Sequence, residues 1–198
     1  MNSEVQFYFP SIVLKTKLEN FSEIKDDLIE EIYKIRQEDD GIQNSNRGGW
    51  HSHNVLYEEC FNKYVKIITR HSSELLFQVI KKETKLKYSC MWININKKGD
   101  HNRSHCHPQC DFSAVLWIKG QGSQYGNLEF QSPHIFDQSK LLHSLNPDIK
   151  DRFSMHPGMW LVPEEGQMVI FPSNLNHLVY ENTVDCDRIS IAFNINLQ

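Results

Sequence analysis

The chain has 198 residues, 39% of them hydrophobic and 23% charged, with a formal net charge of -4 at pH 7. That length suits one domain with a sizeable core, and the mild acidity argues against nucleic acid or an anionic membrane surface as a partner. No run of about 18 apolar residues offers a transmembrane helix, the opening Met1–Gln6 lacks the basic and apolar start of a signal peptide, and five cysteines without framework spacing suit free thiols in a reducing cytoplasm.

Phe7 to Leu14 reads as a first strand, interrupted by Pro10, which favours an edge or a strand start. A helix follows. Phe21, Ile24, Leu28, Ile32 and Ile35 recur at three- and four-residue steps and form one apolar face. Asn20 and Glu23 have the spacing of a capping box, and the acidic run Glu38-Asp39-Asp40 before Gly41 ends the helix. Residues 41–54 read as a loop. A second helix runs through Phe61, Val65, Ile68, Leu75, Leu76 and Val79, with His71-Ser72-Ser73 as a candidate break.

After about residue 85 the texture changes to short strands: Leu86–Asn96, Phe112–Lys119, Asn127–Gln131, Gly158–Val162, Gln167–Phe171, His177–Tyr180 and Arg188–Leu197. Residues 133–157 carry Pro133, Pro147 and Pro157 and read as a long loop, the kind that serves as a lid or binding segment. Two helices on many short strands predict an α+β, mainly β fold, a barrel or jelly roll. It forms a single domain over 1–198, with a helical flank over 1–85 and a β core over 86–198.

Chemistry concentrates in the β region. His105 and His107 are two apart, so in a strand both imidazoles face the same way and can meet one ion. His177 is a third candidate ligand, and Arg188 follows it by eleven residues. Arg188, Ser190, Ala192, Asn194 and Asn196 share one face of the last strand; Ile189, Ile191, Phe193, Ile195 and Leu197 form the other. A small polar face led by one arginine fits a pocket lining, where a guanidinium fork and a hydroxyl hold a carboxylate. Trp92, Asn94 and Asn96 alternate in the same way. His51 and His53 belong to a loop that borders an entrance and are not expected to be ligands. Cys106, between the two histidines, is expected to turn away from the metal.

Together these stretches resemble the 2-oxoglutarate and Fe(II)-dependent dioxygenases, and more narrowly a group of small oxygenases of marine bacteria and their phages. The matching segments are 48–52, 92–100, His105-Cys106-His107-Pro108, Gly126-Asn127-Leu128-Glu129-Phe130, 163–177 and 188–194. The resemblance implies a double-stranded β-helix, a cupin-like jelly roll flanked by N-terminal helices. It implies Fe(II), 2-oxoglutarate and O2, with 2-oxoglutarate chelating the metal and its distal carboxylate on Arg188 and Ser190. Asn94 and Asn96 are then candidates to touch the cosubstrate. The implied reaction hydroxylates a C–H bond of a small molecule or peptidyl residue and releases succinate and CO2.

Position 107 departs from the family pattern, which places a carboxylate there. His105, His107 and His177 form a three-histidine site on one reading; on another, Asp111 or water completes a set with His105 and His177. Neutral imidazole in place of carboxylate raises the net charge of the site by one. Two other functions use the same residues. One is a three-histidine cupin-type dioxygenase or isomerase that needs no 2-oxoglutarate; the other is a non-catalytic ligand-binding jelly roll.

Overall fold

The computed structural model describes residues 11–134 and 140–198. Strands β1 (Leu14–Lys17), β9 (Gln167–Pro172), β6 (Phe112–Lys119), β11 (Arg188–Leu197), β4 (Leu86–Asn96) and β3 (Trp50–His51) form one antiparallel sheet in that order. Strands β2 (Asn46–Arg47), β5 (His101–His105), β10 (His177–Val179), β7 (Leu128–Gln131) and β8 (Gly158–Leu161) form a second. Helices α1 (Phe21–Glu38) and α2 (Asn62–Leu76) precede the main strands, and the short α3 (Lys140–Ser144) and α4 (Pro147–Arg152) lie between β7 and β8. This is the mainly β, two-sheet jelly roll with N-terminal helices that the strand count predicts. Among the described residues no helix is long and apolar enough to cross a membrane.

The alternation in β11 separates two environments. Ile189, Ile191, Phe193 and Ile195 are fully buried with Met91, Ile93 and Ile95 of β4 against Leu28 and Ile32 of α1 and Tyr64, Ile68 and Leu76 of α2. The helices therefore cover the outer face of the larger sheet, and burial of that face supplies the main apolar stabilisation. A smaller cluster of Trp117, Leu128, Phe130, Val169, Phe171 and Leu175 joins the two sheets. The polar face of β11 is left to look into the space between the sheets.

Several local expectations need correcting. Asn20 starts α1 in the left-handed region (φ 53) with no side-chain cap, so the capping box does not form; the only link is Glu23 N–H donating to the Asn20 carbonyl at 3.0 Å. The cause is upstream. Leu18 N–H is tied to the Gly166 carbonyl at 2.8 Å, and the chain must reverse at once into the helix. Asn tolerates that backbone, but it carries the side chain away from the helix N–H groups.

The polar run in α2 does not break it. The Ser72 and Ser73 hydroxyls donate to the Thr69 carbonyl at 3.0 and 2.7 Å and lie 2.6 and 2.9 Å from Tyr88 Oη on β4. Back-bonding into the helix satisfies these groups without ending it.

The segment before residue 86, expected as a helical flank, also contributes three strands. Two of them, β2 and β3, lie inside the expected 41–54 loop, and β5 was not expected as a strand. The expected first strand falls partly outside the described residues, at 7–10; the observed strand begins later, at Leu14. Within 133–157, residues 135–139 lie outside the described residues, and α4 forms where a loop was expected. There Pro147 occupies the first turn, and the Asn146 side chain accepts Asp148 N–H at 3.0 Å, a combination that starts helices.

Candidate functional site

Between the sheets lies a cavity of ≈ 680 Å³, within the range of small-molecule sites. The larger sheet lines it with Arg188, Ser190, Asn94 and Asn96; the smaller brings His105 and His177. Strand pairing sets these neighbours: Arg188 opposes Asn96 and Ser190 opposes Asn94 across β11 and β4, while His177 opposes His105 across β10 and β5.

The three predicted histidines come together. One ring nitrogen from each of His105, His107 and His177 lies within 4.8 Å of the others, and the His105 and His177 ring centroids are 4.3 Å apart. His105 Nδ1 is 2.7 Å from the Arg103 carbonyl and His177 Nδ1 is 2.9 Å from the Leu175 carbonyl. A carbonyl only accepts, so each Nδ1 carries the proton and each Nε2 presents a lone pair. His107 reaches the cluster by a different route. β5 ends at His105, and His107 is held beyond it by its own N–H donating to the Ser173 carbonyl at 2.8 Å. Strand alternation thus does not extend past His105, which is also why Cys106 is among the cavity-lining residues.

Burial pushes the His177 imidazole down to about 3 and the His107 imidazole down to about 4, His105 adding to the effect on both, and it lowers His105 as well. All three are neutral at pH 7, the form that binds metal. An unfolded histidine takes up a proton near pH 6.5, whereas the buried ones resist until well below that. The unfolded state therefore binds more protons as pH falls, and folding is disfavoured progressively below about pH 6.5. Urea titrations of metal-free protein at pH 7.5 and pH 5.5 are expected to give a lower midpoint at the acidic value, and Fe(II) loading at pH 7.5 to raise it.

Arg188 is buried to 2% exposure. Its Nη1 donates to the carbonyls of Tyr125, Gly126 and Tyr180. Its Nη2 is buried and has no hydrogen-bond partner among the described residues. Burial lowers its pKa to about 10, with Asp100 opposing the shift, so the group stays cationic at neutral pH. A buried guanidinium with one free nitrogen on a cavity wall is costly unless an anion joins it.

Gly126 makes the cradle possible. At φ +85 its position leaves no room for a side chain: a Cβ would lie 2.1 Å from Tyr180 O and 2.5 Å from Arg188 Nη1. Gly126→Ala should displace the arginine and raise KM for an acidic cosubstrate by about ten-fold or more, a loss of roughly 1.4 kcal/mol. Steady-state kinetics on the folded variant checks it.

Other candidates sit elsewhere. The Asp111 carboxylate accepts Leu197 N–H at 2.8 Å, its residue is exposed, and it is not part of the histidine group. His53 faces out and pairs with Asp39 at 2.7 Å. His51 is buried and lines the cavity, stacked on Trp92 at 5.5 Å, and Trp92 in turn packs against His107. Sequence reading missed the three carbonyls that hold Arg188, because backbone groups leave no residue signature. It also missed Asn182, whose fully buried amide donates to the Asn96 and Cys186 carbonyls at 3.0 and 2.7 Å and shapes the turn into β11.

Residues 90–194, more than half of the chain, match the family model described as "Putative 2OG-Fe(II) oxygenase". The chain belongs to the 2OG-Fe(II) oxygenase family. No protein of curated function matches its sequence. Among solved structures, this oxygenase is similar to a prolyl-4-hydroxylase of Pseudomonas putida (13% identity, TM-score 0.61, 93% of this chain and 92% of that one). It is also similar to HygX of Streptomyces hygroscopicus, solved with nickel, 2-oxoglutarate and hygromycin B (10% identity, TM-score 0.64, 93% and 82%). A third is the viral collagen prolyl hydroxylase vCPH of Paramecium bursaria Chlorella virus-1 in complex with 2OG (14% identity, TM-score 0.58, 92% and 94%). At such identities the likeness shows the fold, the double-stranded β-helix.

The family implies Fe(II) and 2-oxoglutarate, and the residues present fit both. Three neutral imidazoles suit a divalent first-row metal, and the orphaned Arg188 Nη2 suits a carboxylate.

Proposed function

We propose that this family member is an Fe(II)- and 2-oxoglutarate-dependent dioxygenase that hydroxylates a C–H bond of a small molecule or peptidyl residue. The observation that carries the reading is Arg188: a buried cation with an unpartnered Nη2, on the wall of the cavity that also holds three neutral histidines. The narrower resemblance to oxygenases of marine bacteria and phages rests on the sequence segments alone.

In this proposal His105, His107 and His177 hold the metal. The Arg103 and Leu175 carbonyls fix two of the rings so that Nε2 points to it. Arg188 Nη2 and the Ser190 hydroxyl take the distal carboxylate, and the Asn94 and Asn96 amides flank it on the paired strand. Trp117, Leu128, Phe171 and Val179 give the cavity an apolar wall, Phe171 packing on His177, and an apolar lining strengthens the ion pair. Bound Fe(II) and 2-oxoglutarate supply O2-dependent oxidation coupled to release of succinate and CO2. A three-histidine enzyme that ignores 2-oxoglutarate has no use for Arg188, so the arginine favours the dioxygenase.

The test is succinate formation by Fe(II)-loaded protein given 2-oxoglutarate and air. Succinate accumulating in step with O2 uptake supports the proposal. A fully iron-loaded protein that forms none, with or without candidate substrates, rules it out.

A further inference from the structure

The charge of the cavity lining is one-sided. Arg47, Arg103 and Arg188 line it, and among the described residues no aspartate or glutamate does. Among the described residues none of the three is in an ion pair. Arg188 has a deep role in the proposed function. The side chains of Arg47 and Arg103 do not.

These two arginines belong to one small surface. β2 pairs with β5 so that Arg47 opposes His101, and Arg103 N–H donates to the Ser45 carbonyl at 3.0 Å. Residues opposite one another in an antiparallel pair share a face, and residues two apart on a strand share it too. In β5 that alternation is interrupted, because its pairing with β10 slips by one residue between Asn102 and His105; what places Arg47 and Arg103 with the candidate metal ligand His105 is the cavity that all three line. Arg47 is anchored through Nη1, which donates to the Asn44 and Asn46 carbonyls at 3.2 and 2.7 Å. Among the described residues its Nε and Nη2 have no acceptor, and the Arg103 side chain, which is exposed, has none. The nearest acid in sequence, Asp100, is turned to Lys97 N–H, which its Oδ2 accepts at 2.7 Å.

Charge balance points the same way. Two charges on Fe(II) offset the two of 2-oxoglutarate, and with histidine in place of the carboxylate ligand the protein adds no negative charge at the metal. Asp100 acts on Arg188, but among the described residues the Arg47 and Arg103 guanidinium groups have no protein anion in an ion pair to neutralise them.

We propose that the primary substrate is a small oxyanion, a carboxylate or a phosphate ester, held by Arg47 and Arg103 with the oxidised carbon turned toward the histidines. This rests on the dioxygenase reading. Planar guanidinium forks favour both oxyanions over neutral isosteres, while the Trp92 and His51 stack offers an apolar wall beside them.

The experiment pairs each anion with its neutral counterpart: N-acetylated amino acids with their amides, nucleotides with nucleosides, sugar phosphates with sugars. Each is added to Fe(II)-loaded enzyme with 2-oxoglutarate, and the stimulation of succinate formation above the substrate-free rate is read. The expected result is stimulation by acids or by phosphates and not by their neutral partners, the responding pair telling carboxylate from phosphate. Arg47→Gln and Arg103→Gln are expected to raise KM for the responding anion roughly ten- to hundred-fold, the worth of a charge-assisted hydrogen bond, and Arg47→Lys to raise it less. Thermal midpoints and Fe(II) occupancy of each variant separate misfolding from lost recognition. Stimulation by neutral members equal to that by anions, no stimulation by any anion, or folded variants with unchanged KM overturns the proposal. No succinate from fully iron-loaded protein, with or without any of these compounds, overturns the dioxygenase reading itself, whereas succinate formed with no preference for the anions overturns only this proposal.

Discussion

Arg188→Ala is expected to abolish 2-oxoglutarate turnover in protein that still binds Fe(II). The wild-type guanidinium divides its work. Nη1 is consumed by the Tyr125, Gly126 and Tyr180 carbonyls, and Nη2 is held out of water with nothing to bond. That division fixes the group before any cosubstrate arrives, so little ordering is needed on binding. Removing one member of a buried charge pair typically costs about 3–5 kcal/mol, which is roughly two to four orders of magnitude in affinity. Arg188→Lys separates charge from shape. A lysine is a point charge without the fork, and it cannot serve three carbonyls on one side and a carboxylate on the other. Its affinity for 2-oxoglutarate is expected to fall between wild type and alanine. Calorimetric titration of the anaerobic Fe(II) protein with 2-oxoglutarate measures both. An alanine variant with wild-type affinity would remove the carboxylate clamp from the mechanism.

The second large effect is at the metal. His177→Ala is expected to lower Fe(II) affinity by at least about 100-fold, since even loss of a group that merely orients a ligand costs about 10–100-fold. His177 is the most buried of the three histidines, and its ring is fixed by the Leu175 carbonyl. His107→Asp gives the contrasting result. It restores a two-histidine, one-carboxylate set, so the variant is expected to keep its iron. Metal content after dialysis against a weak chelator checks both variants. Full occupancy in His177→Ala would exclude the histidine cluster as the metal site.

The sequence made the arms of the site legible and left its frame obscure. Strict alternation over 188–197 separated the apolar face from the pocket face, because β11 is central in its sheet and packs against helices on one side only. Both neighbours of β11, β4 and β6, have the boundaries that alternation and turn residues predict. His105, His107 and His177 were readable as side chains of one chemistry. What brings His107 in was not, since a single hydrogen bond to the Ser173 carbonyl lies outside any strand rule. The two-residue strands β2 and β3 are too short to show a period, so the wall that carries Arg47 read as loop. Asn20 illustrates the opposite failure: a correct local spacing overridden by the Leu18 contact to Gly166. Carbonyl cradles, as around Arg188, are invisible at the level of residue identity.

The most direct measurement is an anaerobic crystal structure with Fe(II) and 2-oxoglutarate. The expected result is iron bonded to Nε2 of His105 and His177 and to the His107 ring, with the distal carboxylate of 2-oxoglutarate on Arg188 Nη2. Iron held by other residues, or a 2-oxoglutarate whose distal carboxylate leaves Arg188 unpaired, would contradict it.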